Sequence, residues 1–294
     1  MNAKLLGQIA AAISDATRRP FKTRSATPVG GGDINQTYRL EDADGTRYFL
    51  KLNDARRYPM FVAEAAGLDA IASTDTLRVP RTIAHGIAER HSYLLLEHLE
   101  LHTHGDAELL GAQLAALHRR TLSRFGFARD NFIGTTPQRN AWKDNWIDFW
   151  REQRLGYQLH LAVENGYSGQ LQHLGEQLLG TLPAFFAGYT PQPALLHGDL
   201  WSGNHAYLAD GTPAIFDPAT YHGDRECDLA MTELFGGYPA GFYAAYRSAW
   251  PLDAGYEMRR DLYNLYHILN HVNLFGGGYV RQAEQMMQRL LSRV

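Results

Sequence analysis

The chain has 294 residues, of which 45% are hydrophobic and 20% charged, and its formal net charge is -3. That length suits one large domain or two lobes, and the composition is globular, which excludes a disordered chain. No Lys/Arg block stands out, so nucleic acid is not an expected partner. No apolar run is long enough to span a bilayer, which removes a membrane partner, and a cytoplasmic protein is expected. The single Cys227 cannot form an internal disulfide, and Asp224, Glu226 and Asp228 around it disfavour a thiolate, so it is expected to be an inert thiol.

In chain order, Leu5, Ile9 and Ala12, with Leu6 and Ile13, recur at helical spacing and predict an amphipathic first helix. Gln8 interrupts the apolar run that a signal peptide would need. Gln36–Leu40 and Arg47–Leu52 flank Asp42-Ala43-Asp44-Gly45, a hairpin signal. Arg57–Ile71 reads as a helix with Phe61, Ala65, Leu68 and Ile71 on one stripe. Thr82–Ile87 and Ser92–Glu97 read as a second strand pair around Glu89-Arg90. Beyond Leu99 the pattern turns helical: Asp106–Leu122, the aromatic-rich Ala141–Val163, then Gln170–Leu182, ended by Pro183. Ala194–Leu196 is a short strand. His205–Leu208 and Pro213–Asp217 flank Asp210-Gly211, a two-residue hairpin signal. The remainder reads as helix with a break at Gly276-Gly277-Gly278. This layout predicts an α+β, bilobal, protein-kinase-like fold, with a small β-rich N-lobe over residues 1–98 and a larger, mainly helical C-lobe over 99–294. One hairpin falls near the middle of the second lobe.

The strongest local signal is His197-Gly198-Asp199-Leu200-Trp201-Ser202-Gly203-Asn204, followed by Phe216-Asp217-Pro218. Phosphoryl transfer needs a carboxylate to accept the proton of the attacking hydroxyl, and oxygen ligands for Mg²⁺ on the nucleotide phosphates. Asp199 has the spacing of the base, and Asn204 and Asp217 that of the metal ligands. Alone, an Asp and an Asn five residues apart would be turn residues. The preceding apolar strand, the hairpin and Asp217 favour the catalytic reading.

Upstream, Gly30, Gly31 and Gly32 precede the first strand, where a glycine turn could approach the phosphates of ATP. Lys51 ends the apolar strand Tyr-Phe-Leu-Lys-Leu, where an ammonium needs an anion. Glu64 lies on the buried stripe of the following helix and needs a cation. The two would satisfy each other and hold the phosphates. The strand ending at Glu97 and Leu99 suits a hinge whose backbone meets adenine. Trp201 offers an indole face on which a sugar chain could pack. His267 and His271 stand one turn apart with no third metal ligand in view, so a polar wall of the substrate site, or core histidines, is expected there.

These segments, together with GGDINQTYRL, RYFLKLN, WKDNWIDFWREQRLGYQL and NLYHILNHVNLFGGGY, resemble the fructosamine/ketosamine-3-kinase family over nearly the whole chain. The resemblance implies ATP and Mg²⁺ as cofactors, Asp199 as base, Asn204 and Asp217 as metal ligands, and Lys51 on phosphate. It implies a ketoamine substrate, small or protein-bound, phosphorylated on its 3-hydroxyl, which is a deglycation repair activity. Asp228 looks like the carboxylate that braces the catalytic loop in that family. Some members carry a Cys in the glycine loop where this chain has Asp33, so no redox switch is expected there, and Asp33 should point away or cap a turn. An aminoglycoside or choline kinase-like phosphotransferase and a nucleotide-binding pseudokinase are the alternatives. The sequence leaves the oligomeric state open.

Overall fold

The computed structural model describes residues 1–30 and 34–294. The chain divides into two compact units. The first holds Met1–Gly105 and Ala206–Asp217, the second Asp106–His205 and Pro218–Val294.

The first unit is built on a five-stranded antiparallel sheet: β1 (Ser25–Pro28), β2 (Gln36–Glu41), β3 (Arg47–Asp54), β4 (Thr82–Ala88) and β5 (His91–Glu97), in the order β1-β2-β3-β5-β4. Between β2 and β3 the turn is closed by Asp42, whose Oδ1 accepts from the amides of Asp44 and Thr46, both at 2.9 Å. Gly45 takes the φ of +82° that this turn requires. Helix α1 (Ala3–Thr17) is capped by the Asn2 side chain and buries Leu5, Ile9 and Ile13 in one core with Leu40, Leu50 and Leu95. Helix α2 (Tyr58–Ala72) buries Phe61, Ala65, Leu68 and Ile71, the stripe expected of it.

The predicted hairpin near residue 210 forms from His205–Tyr207 and Pro213–Ile215, turning at Gly211 with φ +84°. The sequence assigns it to the second lobe, whereas Ala206–Asp217 packs with the first unit. The cause is main-chain pairing: His102 and Tyr207 exchange both amide bonds at 2.8 and 3.0 Å, and the Ile215 amide donates to the Arg78 carbonyl at 2.9 Å.

The second unit is mainly helical: α3 (Ala107–His118), α4 (Trp146–Phe149), α5 (Gly156–Glu164), α6 (Gln170–Phe185), α7 (Glu226–Leu234), α8 (Ala240–Ala249), α9 (Tyr256–Phe275) and α10 (Gly278–Leu291). Its core joins Trp146, Phe149, Trp150, Leu178, Leu265 and Met287. Three expected boundaries differ, the first being that of α3, which ends at His118 rather than Leu122. The aromatic helix starts at Trp146 rather than Ala141, because the Asn145 side chain caps it. A π-helical stretch, Trp150–Leu155, then connects α4 to α5. Pro183 does not end α6, which runs on to Phe185. A proline removes the amide that would bind the carbonyl four residues back. That carbonyl, Leu179, accepts from Arg151 Nε at 3.3 Å instead. Between α9 and α10, Gly276 and Gly277 adopt φ of +64° and +59°. Cys227 is buried, and burial pushes its thiol pKa well up. Among the described residues no helix is long and apolar enough to cross a membrane.

Candidate functional site

In the first unit Lys51 stands in β3 between Thr37 and Leu94 of the flanking strands, and only 4% of it is exposed. Its Nζ meets Glu64 Oε1 of α2 at 2.6 Å and forms a second ion pair with Asp217 Oδ1. Burial works against the ammonium, but the Asp217 and Glu64 carboxylates outweigh it and raise the Lys51 pKa above the usual lysine range. The sequence pairs Lys51 with Glu64, and the structure adds Asp217 to that pair. Asp217 is itself in the left-handed backbone region, φ +58°, where side chains other than glycine are uncommon. Such strain gathers at functional positions.

At the end of β5 the Glu97 amide donates to the Arg81 carbonyl at 2.9 Å, and its side chain accepts from Arg78 Nη2 at 2.6 Å. Leu99 follows, half-buried. Gly30 is exposed just after Val29, whose amide donates to the Thr37 carbonyl at 3.0 Å. Gly31, Gly32 and Asp33, the rest of the expected phosphate loop, lie outside the described residues.

In the second unit the strand Ala194–Leu196 delivers the loop that carries Asp199, and Asp228 fixes that loop from α7. Asp228, 1% exposed, accepts from the His197 amide at 2.7 Å through Oδ2 and from the Gly198 amide at 2.8 Å through Oδ1. His118 Nε2 lies 3.1 Å from Oδ2, and its Nδ1 is 2.8 Å from the Tyr246 hydroxyl. Burial alone would raise the Asp228 pKa, but the His118 bond and charge, with the amide bonds, hold it below the usual carboxylate range. Gly198 has φ +85°, and a Cβ there would lie 2.2 Å from the Ala219 carbonyl oxygen, so only glycine fits. The half-buried Asp199 is bound through its carbonyl by Asn204 Nδ2 at 2.8 Å, with Nδ2 3.4 Å from its Oδ2. With Nδ2 so used, the buried Asn204 keeps its amide oxygen as the group able to serve as a hard ligand.

The Trp201 indole lies on Gly203, where a Cβ would be 2.2 Å from Cη2, yet 39% of the residue is exposed. Its carbonyl accepts from the Tyr238 hydroxyl at 3.1 Å. His267 is 7% exposed, and burial, then its neighbour His271, lowers its pKa to about 3. The more open imidazole is His271, whose ring centroid is 5.3 Å from Phe235, 5.5 Å from Phe275 and 4.9 Å from Tyr279. The sequence treats His271 together with His267, as a polar wall of the substrate site or as core histidines, and does not distinguish the two rings. The repeated Phe-Gly-Gly turns at 235–237 and 275–277 are the signal that could have singled it out. Among the described residues no group of three or more His, Cys, Asp or Glu side chains could hold a metal.

A sequence model of a family described as fructosamine kinase matches residues 5–293. A probable ketoamine kinase of Synechocystis sp. is 52% identical over 290 residues, 96% of this chain and 96% of that protein. A chloroplastic protein-ribulosamine 3-kinase of Arabidopsis thaliana is 42% identical over 267 residues, 90% of this chain and 81% of its own. The crystal structure of a proposed fructosamine-3-kinase from Haemophilus somnus is similar with a TM-score of 0.88 at 28% identity, covering 98% of this chain and 99% of that one. An ADP-bound aminoglycoside phosphotransferase, at 12% identity and a TM-score of 0.67 over 99% of each chain, shares the fold. The α+β arrangement is therefore that of the kinase-like phosphotransferases, as the layout of the sequence predicts.

Proposed function

The chain belongs to the fructosamine kinase family, and from that premise we propose that it transfers the γ-phosphoryl group of ATP to the 3-hydroxyl of a ketoamine, the rearranged adduct of a sugar with an amine. The single observation that carries the assignment is the rigid loop at Asp199, braced by Asp228 on one side and by Asn204 on the other. In this reading Asp199 orients the attacking hydroxyl and accepts its proton. Lys51, oriented by Glu64, binds the α- and β-phosphates, and Gly30, Gly31 and Gly32 are the further residues proposed to contact them. Glu97 and Leu99 face adenine with their backbone, and the open face of Trp201 packs on the sugar chain.

Asn204 and Asp217 offer amide and carboxylate oxygens, the hard donors that Mg²⁺ takes. Asp217 is already matched to a cation, Lys51, so the donor set fits and these two residues would hold the ion. Bound Mg²⁺ supplies charge neutralisation on the phosphates. Glu64 keeps Lys51 in place whether or not Asp217 is shared with a metal.

The phosphate would sit on C3, beside the C2 carbonyl, where enolisation makes it a good leaving group. The product then decays without further enzyme and frees the amine, which is a repair reaction. A cytoplasmic setting belongs to the same proposal. The test is transfer from labelled ATP to ribulosyl-lysine and fructosyl-lysine, followed by release of unmodified lysine, with choline and an aminoglycoside as comparison acceptors. Phosphorylation of the ketoamines with lysine release is the expected result. Labelling of choline or the aminoglycoside alone would replace the substrate and leave the kinase fold standing.

A further inference from the structure

Among the described residues, the second unit contains a buried cation, Arg154, with no acidic partner. Arg154 is 0% exposed. Its hydrogen bonds all go to neutral oxygens: Nη2 donates to Asn140 Oδ1 at 2.8 Å, and Nη1 to the Gln153 carbonyl at 2.9 Å and to the Arg139 carbonyl. The guanidinium carbon lies 4.0 Å from the Tyr221 ring centroid and 4.7 Å from that of Phe149. An unpaired buried charge is expensive to keep. Arg154 also lies in the π-helical stretch Trp150–Leu155, a geometry that gathers at functional positions. Gly156 closes that stretch by donating its amide to the Arg151 carbonyl, and a Cβ at 156 would lie 2.4 Å from that oxygen.

From Asn140 the bonds run on without a gap. Asn140 Nδ2 donates to Asn131 Oδ1 at 3.0 Å, and Gln138 Nε2 donates to the same oxygen at 2.7 Å. Gln138 Nε2 also donates to the Ala219 carbonyl at 3.0 Å, while Asn131 Nδ2 donates to the Thr220 carbonyl at 2.7 Å. The Tyr266 hydroxyl donates to Gln138 Oε1 at 2.7 Å. Arg154, Asn140, Gln138, Asn131 and Tyr266 are all buried. The chain thus grips two consecutive backbone carbonyls, and the Ala219 amide holds the His197 carbonyl at 2.9 Å, two residues before Asp199. The Arg154 Nε is left without a partner, but the amide side chains of Asn140, Asn131 and Gln138 are held at both ends, and a buried network so connected is stiff.

We propose that Arg154 and the Asn140–Asn131–Gln138–Tyr266 chain form a positioning device for phosphoryl transfer, fixing the 219–220 backbone and, through the Ala219–His197 bond, the Asp199 carboxylate. The inference rests on the reading of Asp199 as the base. Buried residues of this kind act through Asp199, so their loss lowers kcat and leaves the binding of both substrates alone.

Two variants test it with whichever acceptor the parent enzyme phosphorylates. Tyr266→Phe removes only the hydroxyl that donates to Gln138, and Arg154→Lys keeps the charge but loses the fork. Each should lower kcat by about tenfold, with both KM values within about twofold of the parent. Built into Asp199→Asn, the same substitutions should change the residual kcat by less than about twofold, because the group they position is gone. A merely structural defect lowers kcat alike in both backgrounds, and that result overturns the inference. So does a parental kcat in a folded Tyr266→Phe protein, which decides the matter even where Arg154→Lys fails to fold. If Asp199→Asn itself keeps the parental kcat, the reading of Asp199 fails and the inference falls with it. A loss in Asp199→Asn beside none in Tyr266→Phe sinks the inference alone.

Discussion

Two backbone amides and an imidazole converge on Asp228, and this makes the loop at Asp199 a fixed object rather than a flexible turn. Asp199→Asn keeps the shape of the side chain and removes the proton acceptor, so kcat should fall by roughly 10²–10⁴ with little change in the KM for ATP, measured by steady-state transfer. Near-parental turnover would remove Asp199 from the role. His267 allows a separate prediction. A histidine in an unfolded chain titrates near about 6.5, whereas in the fold it is lowered to about 3. Below the unfolded value the unfolded chain binds a proton that the native chain refuses, so stability is full above it and falls as the pH drops toward the folded value. At about pH 5 this one group costs about 2 kcal/mol. His267→Gln removes that term, so the loss of Tm between about pH 7.5 and about pH 5 should be smaller in the variant than in the parent. An equally steep loss would show that His267 is not held neutral. Residues of this scale were legible where they carry charge in an apolar strand or loop, as Lys51 and Asp199 do. Asn131, Gln138 and Asn140 were not, because buried amides in a polar stretch look like an ordinary loop.

At the scale of elements, helix α6 shows why a proline is an ambiguous stop signal. Its cost comes from the amide it lacks and the carbonyl it abandons, and here Arg151 takes up the abandoned Leu179 carbonyl. Pro183→Ala should therefore shift unfolding stability by less than about 1 kcal/mol, well short of the ~3 kcal/mol that an interior helical proline ordinarily costs. Urea titration reads the difference, and a gain near the larger figure would mean that the Arg151 bond contributes nothing. Strands β2 to β5 were legible from alternation and turn residues. Strand β1 was not, for its four residues are mostly exposed and it ends on Pro28, so it carries neither an apolar face nor a strand signal. The π-helical stretch was equally hidden, since one widened turn leaves the apolar spacing of Trp146, Phe149 and Trp150 looking helical.

For the whole molecule, the sequence shows a β-rich beginning and a helical remainder. It does not show that the hairpin at 206–217 belongs with the first unit, because the pairing of His102 with Tyr207 and of Arg78 with Ala214 is main chain to main chain and leaves no side-chain pattern. Asp217, at the hairpin's end, also supplies one of the two carboxylates on Lys51. A fragment ending at Gly105 should thus be poorly folded, and joining Ala206–Asp217 to it through a flexible linker should raise its Tm and its amide protection. Equal stability of the two fragments would show that the hairpin is dispensable to the first unit.

The same hairpin bears on how the protein is made. A ribosome issues Gly105 first, then all of Asp106–His205, and only then the twelve residues that finish the first unit. The segment synthesised earliest must wait, with Lys51 half-neutralised and the main-chain groups of Arg78 and His102 still bound to water. Chains normally fold from the N-terminus as they emerge. In this one the final closure of the opening unit follows the emergence of the loop at Asp199, so a nascent chain stalled before Ala206 has the whole of the sheet and none of the clasp that completes it.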